Sequence, residues 1–313
     1  MTAVDVLLAA LIKYLSPNYY SKLNSTFMGN LMAETDKTAV GYRKCIVAYL
    51  DILGFREKIL EAESDASRIQ PIYNALTSAQ SLAELLAVRR TLQGEPRPSL
   101  EFNAVSDTII LSSFDVSSAS FFYMLQDISL FQSLVLRKGT FLRGALAIGD
   151  CYHENNVLFG PVLIKAYDME QSMAYWPRVV IAPDALQNYL VEDLDWKFMI
   201  MLRRDISGIT YVDYLKYEYV SASKDMEEHG KSLYKTPKEV FEQHRNALLN
   251  AKNKKKTGEA FKTLVKYHAL ASYHNDVIEE LVKLSWDKKK NNESLSDMKI
   301  DLGQEFKELY GGK

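Results

Sequence analysis

Several features that would define a specialised class of protein are scarce in this chain of 313 residues. Its two cysteines, Cys45 and Cys151, form no CxxC pair and have no histidines at ligand spacing, so we expect neither a disulfide framework nor a zinc site. The net charge of -2 gives no basic footprint for nucleic acid. The apolar run over residues 4–15 is too short to span a membrane and lacks the features of a signal peptide. These absences favour a reduced, cytoplasmic protein that binds neither nucleic acid nor membrane.

What remains is the composition of an ordinary globular chain, 47% hydrophobic and 25% charged. The hydrophobic periodicity predicts, in order, a strand, a helix, two strands, a helix and a strand, and then a further helix and strand. The strands are expected at 45–51, 100–105, 108–112, 141–148 and 178–181, and the later helices at 117–136 and 160–174. This order predicts an α+β fold of the ferredoxin-like βαββαβ type with an extension.

The sequence divides into three parts. Residues 1–42 are predicted to form an N-terminal helix and linker, 43–220 the α+β domain, and 221–313 a C-terminal helical extension with polar helices at 236–251 and 258–284. Alternating β-branched and aromatic residues predict two added strands between 196 and 220.

Two apolar, strand-like runs each contain one carboxylate, Asp51 in residues 46–55 and Asp107 in residues 102–111. An unpaired carboxylate away from water costs roughly several kcal/mol or must take up a proton. A shared divalent cation would neutralise both, and carboxylate oxygens suit magnesium or manganese. The alternative is that each aspartate is a turn or helix-cap residue.

Strand alternation puts Tyr49 and Asp51 on one face of the first strand. The bend at Ser106 and Asp107 can approach them if the hairpin lies beside that strand. A helix is predicted to begin just after Asp51, and its free N–H groups suit phosphate. Carboxylates, metal and phosphate-binding backbone in one place point to two-metal chemistry on a nucleoside triphosphate.

Four segments in this order and spacing give the chain a family resemblance. It resembles the catalytic domain of class III nucleotidyl cyclases over about residues 43–185, and most of all the bacterial pyrimidine cyclases, in particular the uridylate cyclases, of Pycsar anti-phage defence. The segments are YLDILGF (49–55), SD (106–107), RGALAIG (143–149) and FG (159–160) with AYDME (166–170), and LFGP (158–161) and PRV (177–179) carry the narrower likeness.

The resemblance implies a homodimer with active sites across the subunit interface and two Mg²⁺ or Mn²⁺ ions in each. Asp51 and Asp107 would hold the ions, and the backbone carbonyl of Ile52 would complete a metal shell. The amides of Leu53, Gly54 and Phe55 would bind phosphate oxygens. The implied reaction converts UTP to 3′,5′-cyclic UMP and pyrophosphate, and a separate effector would respond to the product in antiviral defence.

Departures from the family pattern bear on the base. Asn103 stands where purine-specific cyclases have a lysine, and Pro161 where they have its aspartate partner, which disfavours a purine. Asn103 can donate and accept hydrogen bonds, and the Tyr49 hydroxyl can meet a pyrimidine edge. Tyr49 as a core aromatic, and a cytidine or purine preference, remain alternatives.

The positions of the family's transition-state Asn and Arg carry Ile164 and Asp168 here, and neither donates to phosphate. Arg143 is our first candidate for the missing cation, because a buried arginine normally needs an anionic partner. Lys165 and Arg178 are further candidates.

Two alternatives follow from these departures. In the first, Arg143 is part of a structural ion pair with Asp150 or Asp168. The missing donors also leave open a non-catalytic, cyclase-like module that binds nucleotide and regulates a partner.

Overall fold

The fold was analysed in a computed structural model of the chain. It describes residues 41–70, 73, 100–105, 107–137, 139–154, 157–189, 196–229, 236–253, 260–284 and 294–310. The predicted N-terminal helix lies outside the described residues.

The strands and helices alternate along the chain. The strands are β1 (Arg43–Ile52), β2 (Leu100–Val105), β3 (Thr108–Ser113), β4 (Leu142–Glu154), β5 (Val157–Phe159), β6 (Val179–Ile181), β7 (Leu202–Arg204) and β8 (Thr210–Val212). The α-helices are α1 (Phe55–Ser64), α2 (Ser118–Arg137), α3 (Pro161–Met173), α4 (Pro183–Tyr189), α5 (Trp196–Met201), α6 (Tyr214–His229), α7 (Glu239–Asn253), α8 (Ala260–Lys283) and α9 (Leu302–Glu305). Short 3₁₀ helices cover Ala66–Arg68, Leu295–Met298 and Lys307–Tyr310.

The strands form one sheet in the order β2-β3-β1-β4-β6-β8-β7, and β5 pairs with β4 outside this path. β1 is antiparallel to both β3 and β4, and β2 is antiparallel to β3. The order β2-β3-β1-β4 is the ferredoxin-like arrangement, so the predicted fold class is confirmed. β6 then extends the sheet parallel to β4, after the crossover through α3.

β1 lies at the centre of the core. Its residues 45–48 have no exposed surface, and both α2 and α3 pack against the strand. Side chains alternate along a strand, so Tyr49 and Asp51 share a face. That face is the one covered by α3, because the ring of Tyr49 meets the ring of Tyr167 edge-on with centroids 5.7 Å apart.

The prediction of two strands over residues 196–220 is wrong in extent. β7 and β8 are only three residues each, and the helices α5 and α6 flank them. The aromatic and apolar residues that suggested strand alternation instead form a helical stripe, whose buried members are Tyr214, Leu215, Tyr219 and Ala222. β4 also continues past its predicted end at residue 148 to Glu154, where β5 pairs with it.

A buried polar network ties α8 to the edge of the sheet. The Tyr273 hydroxyl donates to Asp213 Oδ1 at 2.8 Å and accepts the N–H of Leu215 at 3.1 Å. Arg203 joins Asp213 Oδ2 at 2.8 Å to Glu280 Oε2 at 2.5 Å. The network links both sides of the domain boundary that we predict at residue 220, and α6 itself runs across it.

Among the described residues, one helix is long and apolar enough to cross a membrane by length and composition, and it is α2. However, 61% of its apolar stretch is buried inside the protein. We interpret α2 as a core helix.

Two histidines are buried between α7 and α8. His274 Nε2 lies 2.9 Å from the Met298 carbonyl, so it carries the hydrogen and donates it. His274 Nδ1 must then accept from His244 Nδ1, which is 3.0 Å away. This leaves His244 Nε2 buried without a hydrogen-bond partner. Both imidazoles are therefore neutral in the folded protein, and these contacts give His274 a structural role.

The histidine pair should make the fold sensitive to acid. Burial lowers the pKa of His274 from 6.5 to about 4 and holds the pKa of His244 well below its usual value. As pH falls below 6.5, the two imidazoles bind protons in the unfolded chain but stay neutral in the folded protein. The free energy of unfolding therefore decreases. Urea unfolding at pH 7 and pH 4 should show a loss of about 3 kcal/mol from His274 alone. His274→Gln should flatten this dependence, whereas His268→Gln should leave most of it.

Candidate active site

The end of β1 lies beside the bend of the β2–β3 hairpin. Asp51 is in register with Thr108 of β3, and the N–H of Ile52 donates to the backbone carbonyl of Asp107 at 2.9 Å. The hairpin pairs as far as Val105 and Thr108, so Asp107 belongs to its two-residue bend. The two aspartates singled out from the sequence therefore lie on backbone segments in direct contact.

Arg143 faces Asp51 from the other neighbouring strand, β4. Its Nε donates to Asp51 Oδ2 at 2.8 Å and lies 2.6 Å from Glu170 Oε1 on α3. Only the Asp51 contact has the geometry of a hydrogen bond, because Glu170 Oε1 is buried without one. Asp51, Arg143 and Glu170 thus form a nearly buried charge cluster under α3.

The close approach of β4 to β1 depends on Gly144. A Cβ atom at this position would lie 2.2 Å from the carbonyl oxygen of Tyr49, which no packing can accommodate. A side chain here would push the strands apart and separate Arg143 from Asp51. The glycine after Arg143 is therefore required by the geometry of the cluster.

The charges in this cluster do not balance. Burial raises the pKa of Asp51; the hydrogen bond and charge of Arg143 oppose this, and the charge of Asp107 adds to it. Burial likewise raises the pKa of Glu170, with Arg143 again opposing and Asp51 adding. Lys266 of α8 weakly favours the charged form of both Asp51 and Glu170. Two carboxylates, Asp51 and Glu170, thus lie against one guanidinium. Asp107 and Lys266 add one charge of each sign from further away, so the site has an excess of negative charge that attracts cations.

A glycine turn connects β1 to α1. Gly54 is left-handed, with φ 75° and ψ 13°, and α1 begins at Phe55. Backbone N–H groups at the start of a helix have no acceptor within the helix, so the amides of Gly54 and Phe55 suit an anion. The Leu53 amide differs, because it donates to the Phe141 carbonyl at 2.9 Å. Of the three amides predicted to hold phosphate, that of Leu53 is thus engaged within the protein.

The two residues predicted to meet the base lie in one row across the sheet. Ile110 of β3 is in register with Tyr49 on one side and with Asn103 on the other, so all three positions share a face. The Tyr49 hydroxyl lies 3.2 Å from Thr108 Oγ1. Asn103 is placed by its strand register only.

The two other predicted cations both have protein partners. Lys165 Nζ pairs with Asp184 Oδ2 at 2.6 Å near the surface. Arg178 is 1% exposed and donates to Asp205 Oδ2 at 2.7 Å and to the Met173 carbonyl at 2.9 Å. Its guanidinium also lies against the rings of Tyr175, Trp176 and Tyr211. Arg178 therefore stabilises the fold, and we do not place it at the site.

The prediction that Asp150 or Asp168 is the ion-pair partner of Arg143 is wrong. Asp150 instead pairs with Lys44 at 3.1 Å, and Asp168 is an exposed residue of α3. Asp150 is on the same strand as Arg143, and Asp168 is on the exposed side of α3, but the partner carboxylates come from β1 and from the buried side of α3. Tertiary pairing, rather than sequence proximity, selects them.

Three residues at the site, Glu170, Tyr167 and Lys266, were not predicted from the sequence. Glu170 carries a detectable signal, because it continues the stripe of Val162 and Ala166 at four-residue spacing, and all three are buried. A lone carboxylate on the buried stripe of a helix needs a cationic partner. Lys266 gives no local signal, since only the docking of α8 brings it near the cluster.

Asp51, Asp107 and the carbonyl of Ile52 offer a small set of hard oxygen donors. No group of three or more His, Cys, Asp or Glu residues able to hold a metal occurs within the described ranges. Two carboxylates are nevertheless an ordinary set for Mg²⁺ or Mn²⁺, which take their remaining ligands from water and substrate phosphates. Because the site also carries excess negative charge, its residues fit such an ion.

No protein-family model and no curated protein matches the chain. Solved structures similar to it include the adenylyl cyclase CyaB from P. aeruginosa, at 15% identity over 55% of this chain and 94% of that one, with a TM-score of 0.36. An adenylate/guanylate cyclase/hydrolase from Silicibacter pomeroyi aligns at 15% identity over 55% and 95%, with a TM-score of 0.34. A bacterial light-regulated adenylyl cyclase aligns at 10% identity over 55% and 91%, with a TM-score of 0.35. We draw no conclusion about activity from likeness at this level.

The structural role of Arg178 is testable. Asp205→Ala should lower the free energy of unfolding by about 3 kcal/mol, because it leaves a buried guanidinium without its carboxylate. Asp184→Ala, which breaks the exposed pair with Lys165, should cost less than about 1 kcal/mol. Urea denaturation of both variants measures the difference, and equal losses would contradict the assignment.

Proposed function

We propose that the chain is a nucleotidyl cyclase, a phosphorus–oxygen lyase that converts UTP to 3′,5′-cyclic UMP and pyrophosphate. The observation that carries the proposal is the meeting of Asp51 and Asp107 where β1 ends, next to the turn at Gly54. Carboxylates for cations and free amides for phosphate then lie within one short stretch of backbone. This combination suits a nucleoside triphosphate better than an uncharged ligand.

In this reaction the ribose O3′ forms a bond to the α-phosphorus, and the bond from that phosphorus to the bridging oxygen of the β-phosphate breaks. Pyrophosphate leaves with the electron pair, and the proton of the 3′-hydroxyl passes to solvent or to the leaving group. Positioning and charge stabilisation account for most of the catalysis in such transfers. No covalent intermediate with the protein is needed.

The roles of the residues follow from their places. Asp51, Asp107 and the Ile52 carbonyl would hold two Mg²⁺ or Mn²⁺ ions, which supply charge neutralisation and acidify the 3′-hydroxyl when bound. The amides of Gly54 and Phe55 would bind phosphate oxygens. Arg143 would stabilise negative charge on the phosphates, since within the described part of the chain its hydrogen bond comes from Nε and its terminal nitrogens donate none.

Tyr49 and Asn103 would select the base. Their positions share one sheet face, which supports contact with a single planar ligand. A tyrosine ring reduces the space for a purine, and an amide matches the carbonyl and N–H groups of uracil. Lys165 would approach the substrate only after releasing Asp184.

We further propose a cytoplasmic homodimer with active sites at the subunit interface, whose product acts on a separate effector in anti-phage defence. Ile164 and Tyr167 on α3 support an interface close to the site. They leave 65% and 46% of their surfaces exposed, although Tyr167 lies against Tyr49.

One observation favours a second candidate, a catalytically inactive module that binds nucleotide and regulates a partner. Asp51 is already paired with Arg143, and Ile164 and Asp168 provide no donors on α3. Binding of a triphosphate with no turnover would select this candidate.

The central test is incubation of the purified protein with each of the four ribonucleoside triphosphates and Mn²⁺. We expect cyclic UMP, identified by mass, from UTP. Asp51→Asn and Asp107→Asn should each lower its formation at least about a hundredfold, because each removes a carboxylate from the cation site.

Asp150→Asn is the matched control for these two variants. It removes an aspartate from the far end of β4, where only the surface pair with Lys44 is lost. This variant should keep its turnover. If the unaltered protein forms no cyclic nucleotide, the proposed function is contradicted. If it forms a cyclic product other than cyclic UMP, only the assignment of uracil as the base is contradicted.

Base selection is tested separately with Tyr49→Ala. Removing the ring opens space on the face shared with Asn103, so the ratio of kcat/KM for UTP to that for ATP or GTP should fall by about tenfold or more. Tyr49→Phe keeps the ring and should retain most of the discrimination by size. An unchanged ratio in Tyr49→Ala would show that Tyr49 is only a core aromatic.

A further inference from the structure

Two carboxylates in the site lie within hydrogen-bond distance of the same N–H group. The Nε atom of a guanidinium carries a single hydrogen. In Arg143 this atom lies 2.8 Å from Asp51 Oδ2 and 2.6 Å from Glu170 Oε1. Asp51 receives the hydrogen bond, and Glu170 Oε1 is left within reach of the donor but without its hydrogen.

Glu170 is held in place independently of Arg143. Its other oxygen, Oε2, accepts from Gln171 Nε2 at 2.5 Å, and its side chain has no exposed surface. α3 also packs closely on β4, where a Cβ atom on Gly149 would lie 3.1 Å from Val162. Glu170 is therefore a fixed acceptor beside the guanidinium.

Asp51 cannot serve Arg143 and a divalent cation equally well. Both partners are positive and both seek the oxygens of the same carboxylate, so they repel each other at short distance. A cation that binds at Asp51 must weaken the bond from Arg143. The Nε–H of Arg143 then needs another acceptor, because its hydrogen bond goes to Asp51 while the cation is absent.

We infer that Glu170 is a positioning residue that takes over the Nε–H of Arg143 when a cation binds at Asp51. Arg143 neutralises Asp51 while the cation is absent and turns its N–H toward Glu170 when the cation arrives. Both oxygens are already within hydrogen-bond distance, so the change needs reorientation and no large displacement. This inference rests on the proposed function, because that proposal assigns the cation to Asp51.

Mn²⁺ titration of the full chain by calorimetry, without nucleotide, tests the transfer. Arg143→Gln removes the competitor and should tighten Mn²⁺ binding at least about fivefold, the lower end of ordinary coupling between two ligands. Glu170→Gln replaces the anionic acceptor with a weaker, neutral one and should weaken binding by a similar factor. In the Arg143→Gln background the same change at Glu170 should have a much smaller effect, because there is no longer a guanidinium N–H for Glu170 to accept.

The double variant separates this mechanism from a simple effect of charge. It has the same net charge as the unaltered protein, so tighter Mn²⁺ binding by the double variant supports competition. An equal effect of Glu170→Gln in both backgrounds would overturn the inference, as would weaker binding in Arg143→Gln. If Arg143→Gln fails to fold, the double variant is compared with Glu170→Gln, and it must bind more tightly. Asp150→Asn is the control for a remote carboxylate and should leave the affinity unchanged.

Product formation distinguishes this inference from the function on which it rests. If cyclic UMP forms and the effects of the two substitutions are additive, the transfer of the Arg143 N–H to Glu170 is contradicted and the cyclase activity is supported. If the Mn²⁺ affinities are non-additive as expected but no cyclic nucleotide forms, the transfer is supported and the cyclase activity is contradicted. No Mn²⁺ binding by the unaltered protein would remove both.

Discussion

The charge balance around Asp51 is the constraint on which the rest of the site depends. A carboxylate on a central strand must be compensated, and β4 does so by placing Arg143 directly opposite it. That pairing requires strands too close for a side chain at position 144. The helix that covers this face brings Glu170, and the hairpin bend brings Asp107. A single arginine therefore stabilises a site that still has excess negative charge, and such a site can be stable on its own and remain receptive to a cation.

The C-terminal helices are part of this arrangement. Phe141 accepts the Leu53 amide at the start of the glycine turn, and its ring lies 6.1 Å from that of Tyr267 on α8. Through this contact α8 supports the turn that leads into α1 and brings Lys266 near the carboxylates. The polar network around Asp213 anchors the same helix to β7 and β8. A substitution on α8 is thus expected to act on the site through packing and charge, although α8 lies outside the part of the chain that resembles cyclases.

The sequence allowed the central features to be predicted because they are local. Asp51 and Asp107 each interrupt a short apolar run, and the two-residue bend follows from the spacing of β2 and β3. The partners of Arg143 were not predictable in this way, because Glu170 meets it only after α3 has docked on the sheet. Arg178 was misplaced among the substrate candidates for a related reason: its partner, Asp205, lies beyond two intervening helices in the chain. The short strands β7 and β8 were overextended because aromatic residues fit both an alternating pattern and the buried stripe of α6.

The residues on α3 make the charge cluster of Asp51, Arg143 and Glu170 more negative. Ile164 and Asp168 stand on this helix where the sequence resemblance predicts Asn and Arg, and two residues after Asp168 the buried side of the helix carries Glu170. α3 therefore adds negative charge to the site, and the positive charge must come from other elements. β4 provides Arg143, α8 provides Lys266 at longer range, and any bound cation provides the remainder. If the chain is a cyclase, its transition state must be stabilised from the strand side of the site, so the interaction between Arg143 and Glu170 governs how much positive charge is available when the substrate arrives.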